Sequence, residues 1–245
     1  MTTIVSCFLA NSNNRGDRKT DKYVDYGKKL LNVNNPKIIF IDDSLIDLLI
    51  NSKEYNKENT LLIPINKNDI YLYEYQNHIT DFNIITDFPN KDTLEYMFII
   101  CSKTEFMKKA IEINAFNTEQ FLWIDFGINH MLKYDDKEFE EKIINLTTLE
   151  YYNVRISSIK DPNIENLDKD IYRQVVWYLA GTVFGGLNES LIKFADLVKE
   201  KCLEIIFDKG SLMWEVNIWY LVLLENKDLF DTYSCDHDRS VITNY

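Results

Sequence analysis

"EQFLWIDFGINH", residues 119–130, sets an apolar run fit for a buried strand directly before one carboxylate, Asp125, and follows it with Phe126 and Gly127. Aspartate is among the residues least often fully buried unless it is paired. An isolated ionised carboxylate at such a place costs several kcal/mol or changes its protonation, so a partner is required. The rest of the chain has to supply that partner, and its pattern says what kind of fold does so.

Upstream, "TTIVSCFLA" (2–10) is a β-branched run, and after a polar loop "KYVDYGKKLLNV" (22–33) has helical period. "PKIIFID" (36–42) is a second strand closed by Asp42 and Asp43, and "SLIDLLINS" (44–52) is helical with Ser44 as its N-cap. "TLLIPI" (60–65) is a third strand, an aromatic-rich helical stretch follows, and "DTLEYMFIICSKTEFMKKAIEIN" (92–114) has one long helical period leading into the Asp125 strand. Strands alternating with helices predict an α/β domain with a mostly parallel sheet. In such sheets ligands bind at the carboxyl ends of the strands. Asp42, Asp43 and Asp125 all fall there. Nothing resembling a linker, repeat or low-complexity tract interrupts residues 1–245, so a single domain is expected.

Downstream, "LEYYNVRISSI" (149–159) is a strand candidate, and "RQVVWYLAGTVFGG" (173–186) is an aromatic-bearing strand ending in Gly185 and Gly186. Asn188 is placed to cap the amphipathic helix that follows. A Gly-Gly pair between strand and helix admits a ligand to the backbone, or simply makes a tight turn. "SLMWEVNIWYLVLLE" (211–225) opens an aromatic-rich helix with Glu215, where a carboxylate is favoured by the helix dipole by ~0.3–1 kcal/mol. The tail "YSCDHDRSVITNY" (233–245) gathers Asp236, His237, Asp238 and Arg239, either as a solvated loop or as a metal ligand beside a phosphate-facing cation. Such a tail is expected to contribute little packing.

Composition excludes several classes. A net charge of −12 is unsuited to a general nucleic-acid binder held by phosphate contacts. Cys7, Cys101, Cys202 and Cys235 form no CxxC pair and read as reduced thiols of a cytoplasmic protein. The N-terminus lacks a charged lead and a small-residue cleavage site. No apolar run approaches the ~20 residues that span a bilayer. GxxxxGK[ST], GxGxxG and GxSxG are all missing, so P-loop, dinucleotide-binding and α/β-hydrolase readings lack their central parts.

"TIVSCF", "PKIIFID", "CSKTEFMKKAIEINAFNTEQFLWIDFGINH", "AGTVFGG" and "DTYSCDHDRSVITNY" together, in this order, resemble the HtrL/YibB family, whose bacterial and viral members are regarded as glycosyltransferase-like with a GT-A fold. The second half is similar, more distantly, to the blood-group type of retaining transferase, in which a strand with "FGG" precedes a helix and an acidic helix start carries a catalytic Glu. The resemblance implies a GT-A-like, Rossmann-like sheet flanked by helices. It implies transfer of a sugar from a nucleoside-diphosphate donor, UDP-linked in most such enzymes, to a saccharide or glycoconjugate acceptor. A binding protein that has kept the pocket and lost turnover is the alternative. Mn²⁺ or Mg²⁺ would sit against the diphosphate. Here "WID" stands where such enzymes have D-x-D, so Asp125 is the metal-gripping residue, and Trp123 replaces the carboxylate that touches ribose. Asp236 or His237 would complete the metal shell, with His130 a competing candidate that the loop should turn away. The resemblance puts Ser6 and Phe8 against the base, Arg18, Lys103 and Arg239 near phosphate or ribose, and Gly127, Gly185 and Gly186 where backbone passes the donor. Glu215 becomes the catalytic carboxylate, with Trp214 and Trp219 as an acceptor platform.

Overall fold

The computed structural model describes residues 1–10, 19–160 and 171–245. The parallel strands form where continuous apolar runs can be buried on both faces. These are β1 (Thr2–Phe8), β2 (Lys37–Asp42), β3 (Thr60–Ile65) and β4 (Gln120–Ile124). The second half adds β5 (Val154–Ser158), β6 (Leu179–Leu187) and β7 (Phe230–Ser234). All seven make one sheet in the order β3-β2-β1-β4-β6-β5-β7. Every pairing is parallel except those of β6, which runs against both β4 and β5. The expected mixed, mostly parallel α/β sheet is therefore present, and strands from both halves of the chain share it.

Alternation of side chains along β4 divides the core. Phe121 and Trp123 face a layer of α3 (Leu94–Cys101), α4 (Lys103–Ile113), α7 (Asn188–Lys209) and α8 (Glu215–Glu225). Leu122 and Ile124 face the opposite layer. There lie α1 (Thr20–Asn32), α2 (Ile46–Ile50), α5 (Asn129–Leu132), α6 (Asp136–Thr147) and α9 (Ser240–Thr243). Asp125 is two residues beyond Trp123 and so belongs to the α4/α8 side. Among the described residues no helix is long and apolar enough to cross a membrane.

Local chemistry shifts three expected boundaries. Asp42, not Ser44, caps the turn after β2, since its carboxylate accepts the Ser44 N–H at 3.0 Å and the Ser44 hydroxyl at 2.5 Å. The long helix of 92–114 is two helices. Ser102 ends the first by bonding its hydroxyl to the Phe98 carbonyl at 2.8 Å, and the kink turns Lys103 toward the strand ends. Asn188 is the first residue of α7, and its side chain accepts the adjacent Glu189 N–H at 2.7 Å rather than capping the helix.

At the opposite edge of the sheet Lys37 is wholly buried, its ammonium donating to the Val33 carbonyl at 2.6 Å and to Thr60 and Asn59 side chains. Burial lowers it from 10.5 to about 8. Between those two values the folded chain holds fewer protons than the unfolded one, so this group makes stability rise with pH across that window. Burial lifts several thiols and tyrosines, Cys7, Cys101, Tyr96 and Tyr245 among them, above the range in which they titrate when unfolded, which works in the opposite direction, so the measurement is a difference. Relative to Lys37→Met, the wild type should gain about 1 kcal/mol between pH 7 and pH 9, read from denaturant midpoints at each pH. Parallel curves would show that Lys37 keeps an ordinary ammonium.

Candidate active site

A cavity of about 920 Å³ opens at the carboxyl edge of the sheet, where the ends of β1 and β4 meet the start of β6 and the N-terminus of α8. Lys103 is among the residues that line it. The ammonium reaches Asp125 Oδ1 at 3.0 Å and Oδ2 at 3.2 Å, Glu215 Oε1 at 3.1 Å and the Gly181 carbonyl at 2.9 Å. Burial works to lower the Lys103 pKa, but Asp125 and then Glu215 outweigh it and raise the group above its ordinary value. This is the partner that Asp125 required. Trp123 adds a second one, donating its indole N–H to Asp125 Oδ1 at 2.8 Å while its ring stacks on Phe184 inside the core. Trp123, two residues before Asp125, thus orients its carboxylate.

Gly181 permits the cluster to close. A Cβ there would stand 2.6 Å from Glu215 Oε1, so any side chain would push the carboxylate off Lys103. Residues at the start of β6 reach this edge because the strand is antiparallel to β4, and the Asp125 N–H bonds the Thr182 carbonyl at 3.0 Å.

The same reversal carries Gly185 and Gly186 to the far edge, beside Leu122 and Phe121. Neither lines the cavity. A Cβ on Gly185 would meet the Phe121 carbonyl at 2.7 Å, and Gly186, at φ +146°, would meet the Asn153 carbonyl at 2.3 Å. These glycines serve close backbone packing rather than a donor.

Other expected residues divide in the same way. Phe8 lines the cavity and stacks between Tyr23 and Phe126, at centroid distances of 5.5 and 5.4 Å. Gly127 also lines it, and lacks a Cβ because the Tyr23 ring lies 2.3 Å from where one would be. Ser6 points into the sheet, fully buried, and donates to the Ile124 carbonyl at 2.6 Å, so it frames no base. Trp214 lines the cavity, whereas Trp219 is buried among Phe184 and Phe194 and offers no platform. Arg18 lies outside the described residues.

The tail arrives at the right edge because β7 runs parallel to β5. His237 lines the cavity, and burial holds its imidazole below the ordinary histidine value although Asp236 and Asp238 pull the other way. Asp236 does not line it; its side chain is 78% exposed. Arg239 turns away, donating to the Leu132 carbonyl at 2.9 Å and lying over the Tyr134 ring at 4.4 Å. His130 does line the cavity, contrary to the expected turn of its loop, with Nδ1 2.8 Å from the Gly127 carbonyl.

A divalent ion, which the family resemblance implies, does not fit this donor set as it stands. Both Asp125 oxygens already accept from Lys103 or Trp123, and Asp236 does not line the cavity. Among the described residues, no three His, Cys, Asp or Glu side chains converge to hold a metal ion.

Sequence reading missed four contributors: Gly181, Tyr23, Lys133 and Trp177. Gly181 lay within "AGTVFGG" but was overshadowed by the Gly-Gly pair. Trp177 carries the clearest structural mark. It sits at φ +49°, a conformation that costs a bulky side chain roughly 1–3 kcal/mol. Its exposed indole meets the His237 ring edge-on at 4.2 Å.

The fold and site define an α/β protein with a lysine-bridged carboxylate pair lining a cavity on the carboxyl edge of its sheet. Residues 1–237 match the family described as a bacterial protein of unknown function (HtrL_YibB), and the chain belongs to that family. Among solved structures it is similar to mouse xyloside xylosyltransferase 1 in its apo form, at 8% identity and TM-score 0.48, over 95% of this chain and 85% of that one. It is also similar to 4-diphosphocytidyl-2C-methyl-D-erythritol synthase from Anaerococcus prevotii, at 10% identity and TM-score 0.44, over 96% and 87%. A comparison with curated proteins gives no match.

Proposed function

We propose that this GT-A-like domain is a glycosyltransferase, moving a sugar from a nucleoside-diphosphate donor to a saccharide or glycoconjugate acceptor. One observation carries the reading: a cavity of about 920 Å³ holds two carboxylates on one ammonium and is lined by aromatic side chains. Phe8, at the end of β1, and Tyr23, in α1, offer a face for a nucleobase, UDP-linked donors being the first to test. His130, in α5, and the ammonium of Lys133, at the end of that helix, are the groups beside which a diphosphate would lie. Trp214 and Trp177 border the acceptor side. Glu215 keeps one carboxylate oxygen on Lys103, and its other oxygen is available to take the proton of an acceptor hydroxyl. The hydroxyl oxygen then bonds to the anomeric carbon, and the nucleoside diphosphate leaves with the electron pair of the broken bond. In a retaining reaction the same carboxylate would instead stabilise the oxocarbenium-like centre.

A thermal-shift screen of nucleotide sugars, followed by assay of nucleoside-diphosphate release, tests the proposal. Stabilisation by a nucleotide sugar with release on adding an acceptor supports it. Stabilisation with no release under any acceptor leaves a nucleotide-sugar or glycan-binding protein, the second reading, which Trp123 in place of a carboxylate favours. Trp177 gives a separate expected result. Losing an aromatic face worth about 1.4 kcal/mol should raise the acceptor KM in Trp177→Ala by ~10-fold, with donor affinity unchanged. An unchanged acceptor KM would leave the indole a role only in packing against His237.

A further inference from the structure

Lys103 begins α4 just beyond the Ser102 kink, and the cluster around its nitrogen has the composition of half a metal site. An ammonium carries three protons and no acceptor. Three acceptor groups meet it: the Asp125 carboxylate, the Glu215 carboxylate and the Gly181 carbonyl, all at 2.9–3.2 Å. Oxygen donors of this kind, two of them charged, are what a hard divalent cation gathers around itself, at 2.0–2.6 Å. Here the distances are those of N–H···O bonds. Trp123 takes one of the remaining lone-pair positions on Asp125 Oδ1. A divalent ion entering this shell would have to expel a buried ammonium that makes three charge-assisted or carbonyl bonds, and leave it with no equivalent partners.

We propose that Lys103 is a built-in cation standing where a divalent metal would otherwise sit, so that this site binds its nucleotide ligand without a divalent ion. The nucleotide part rests on the transferase reading above; the cation part does not. One positive charge against two negative ones leaves the centre with a net negative charge. Donor phosphates therefore lie to the side, against His130 and Lys133, rather than on the triad.

Removing the ammonium tests the idea, because it leaves three oxygens with nothing between them. Mn²⁺ alone is the probe, followed by its electron paramagnetic resonance signal and by melting temperature. The wild type should show no stoichiometric Mn²⁺ binding. Lys103→Ala should bind one Mn²⁺ at least ~10-fold more tightly than wild type and melt higher in its presence, and adding Asp125→Asn should erase both effects. Stoichiometric binding by the wild type that Asp125→Asn removes would overturn the proposal, showing Lys103 to be displaced by metal. So would a folded Lys103→Ala protein that binds no Mn²⁺. If Lys103→Ala does not fold, the wild type and Asp125→Asn decide alone. Titration of UDP into the wild type in EDTA addresses the ligand: retained binding supports the proposal, and binding only with Mn²⁺ overturns it. Failure of every nucleotide under every condition speaks against the transferase reading, and the Mn²⁺ measurements still decide this inference.

Discussion

Sugar transfer by the Glu215→Gln protein is expected to fall by about 10²–10⁴-fold, the usual contribution of a positioned acid or base, with donor affinity within a few-fold of wild type. The competing role for a carboxylate at a helix start is to favour the dipole of that helix. Glu215 does begin α8, but α8 has no side-chain cap bond, and the carboxylate instead bonds Lys103 while 7% exposed. Gln keeps an oxygen that can accept from Lys103 and keeps the shape that fits against Gly181. What it lacks is the basic second oxygen and the charge. Stability should therefore change little, and loss of rate should not follow loss of fold. Rate and melting temperature measured on one preparation separate the outcomes. A rate near wild type, with a stability loss of a few tenths of a kcal/mol, would assign Glu215 to the helix end alone.

The parts of this site that were legible in the sequence share one property: they sit where direction along the chain is unambiguous. β1, β2 and β4 are continuous apolar runs ending in polar residues, and a parallel sheet puts their ends on one edge. Asp125 followed from that, and Phe8, Gly127, Lys103 and Glu215 followed from the resemblance. The misreadings came from orientation, which residue pattern does not encode. "AGTVFGG" reads as a strand in either direction, and only pairing with β4 shows that its first glycine, not its last two, reaches the cavity. Alternation puts Ser6 and Phe8 on one face of β1; what separates them is depth, since Ser6 lies within the sheet on the Ile124 carbonyl and Phe8 stands at the strand end, where it lines the cavity. Trp219 and Trp214 are both aromatic positions beside one helix start and both are buried, yet Trp214 also borders the cavity while Trp219 packs on Phe184 and Phe194. Arg239 was read as a phosphate cation because charge was visible and the carbonyls of Leu132 and Lys133 that hold it were not.

Ending the chain before Asp236 is expected to unfold the protein, although a polar terminal segment normally contributes little. Ten residues would be lost, and three of them, Val241, Ile242 and Tyr245, are buried among Phe139, Ile143, Leu146 and Val183. Tyr245 packs edge-on against both Tyr151 and Tyr233, at 5.4 Å each, and the Tyr233 hydroxyl donates to the Val241 carbonyl at 2.8 Å. Full burial stabilises such side chains by ~1.5–3 kcal/mol apiece, so their removal subtracts several kcal/mol, an upper estimate because unfolded chains also bury apolar surface. That is comparable with the ~5–15 kcal/mol by which domains are held folded. The truncated protein should therefore lose its cooperative thermal transition by circular dichroism. A melting temperature within a few degrees of wild type would show that α9 and Tyr245 do not pack on α6 and β6 as described. Lost ligand binding in a truncated chain would report on folding rather than on His237. The informative variant is His237→Ala, which leaves Val241, Ile242 and Tyr245 in place. It should keep the wild-type transition, and any change in nucleotide or saccharide affinity then belongs to the imidazole and to Trp177, which rests on it.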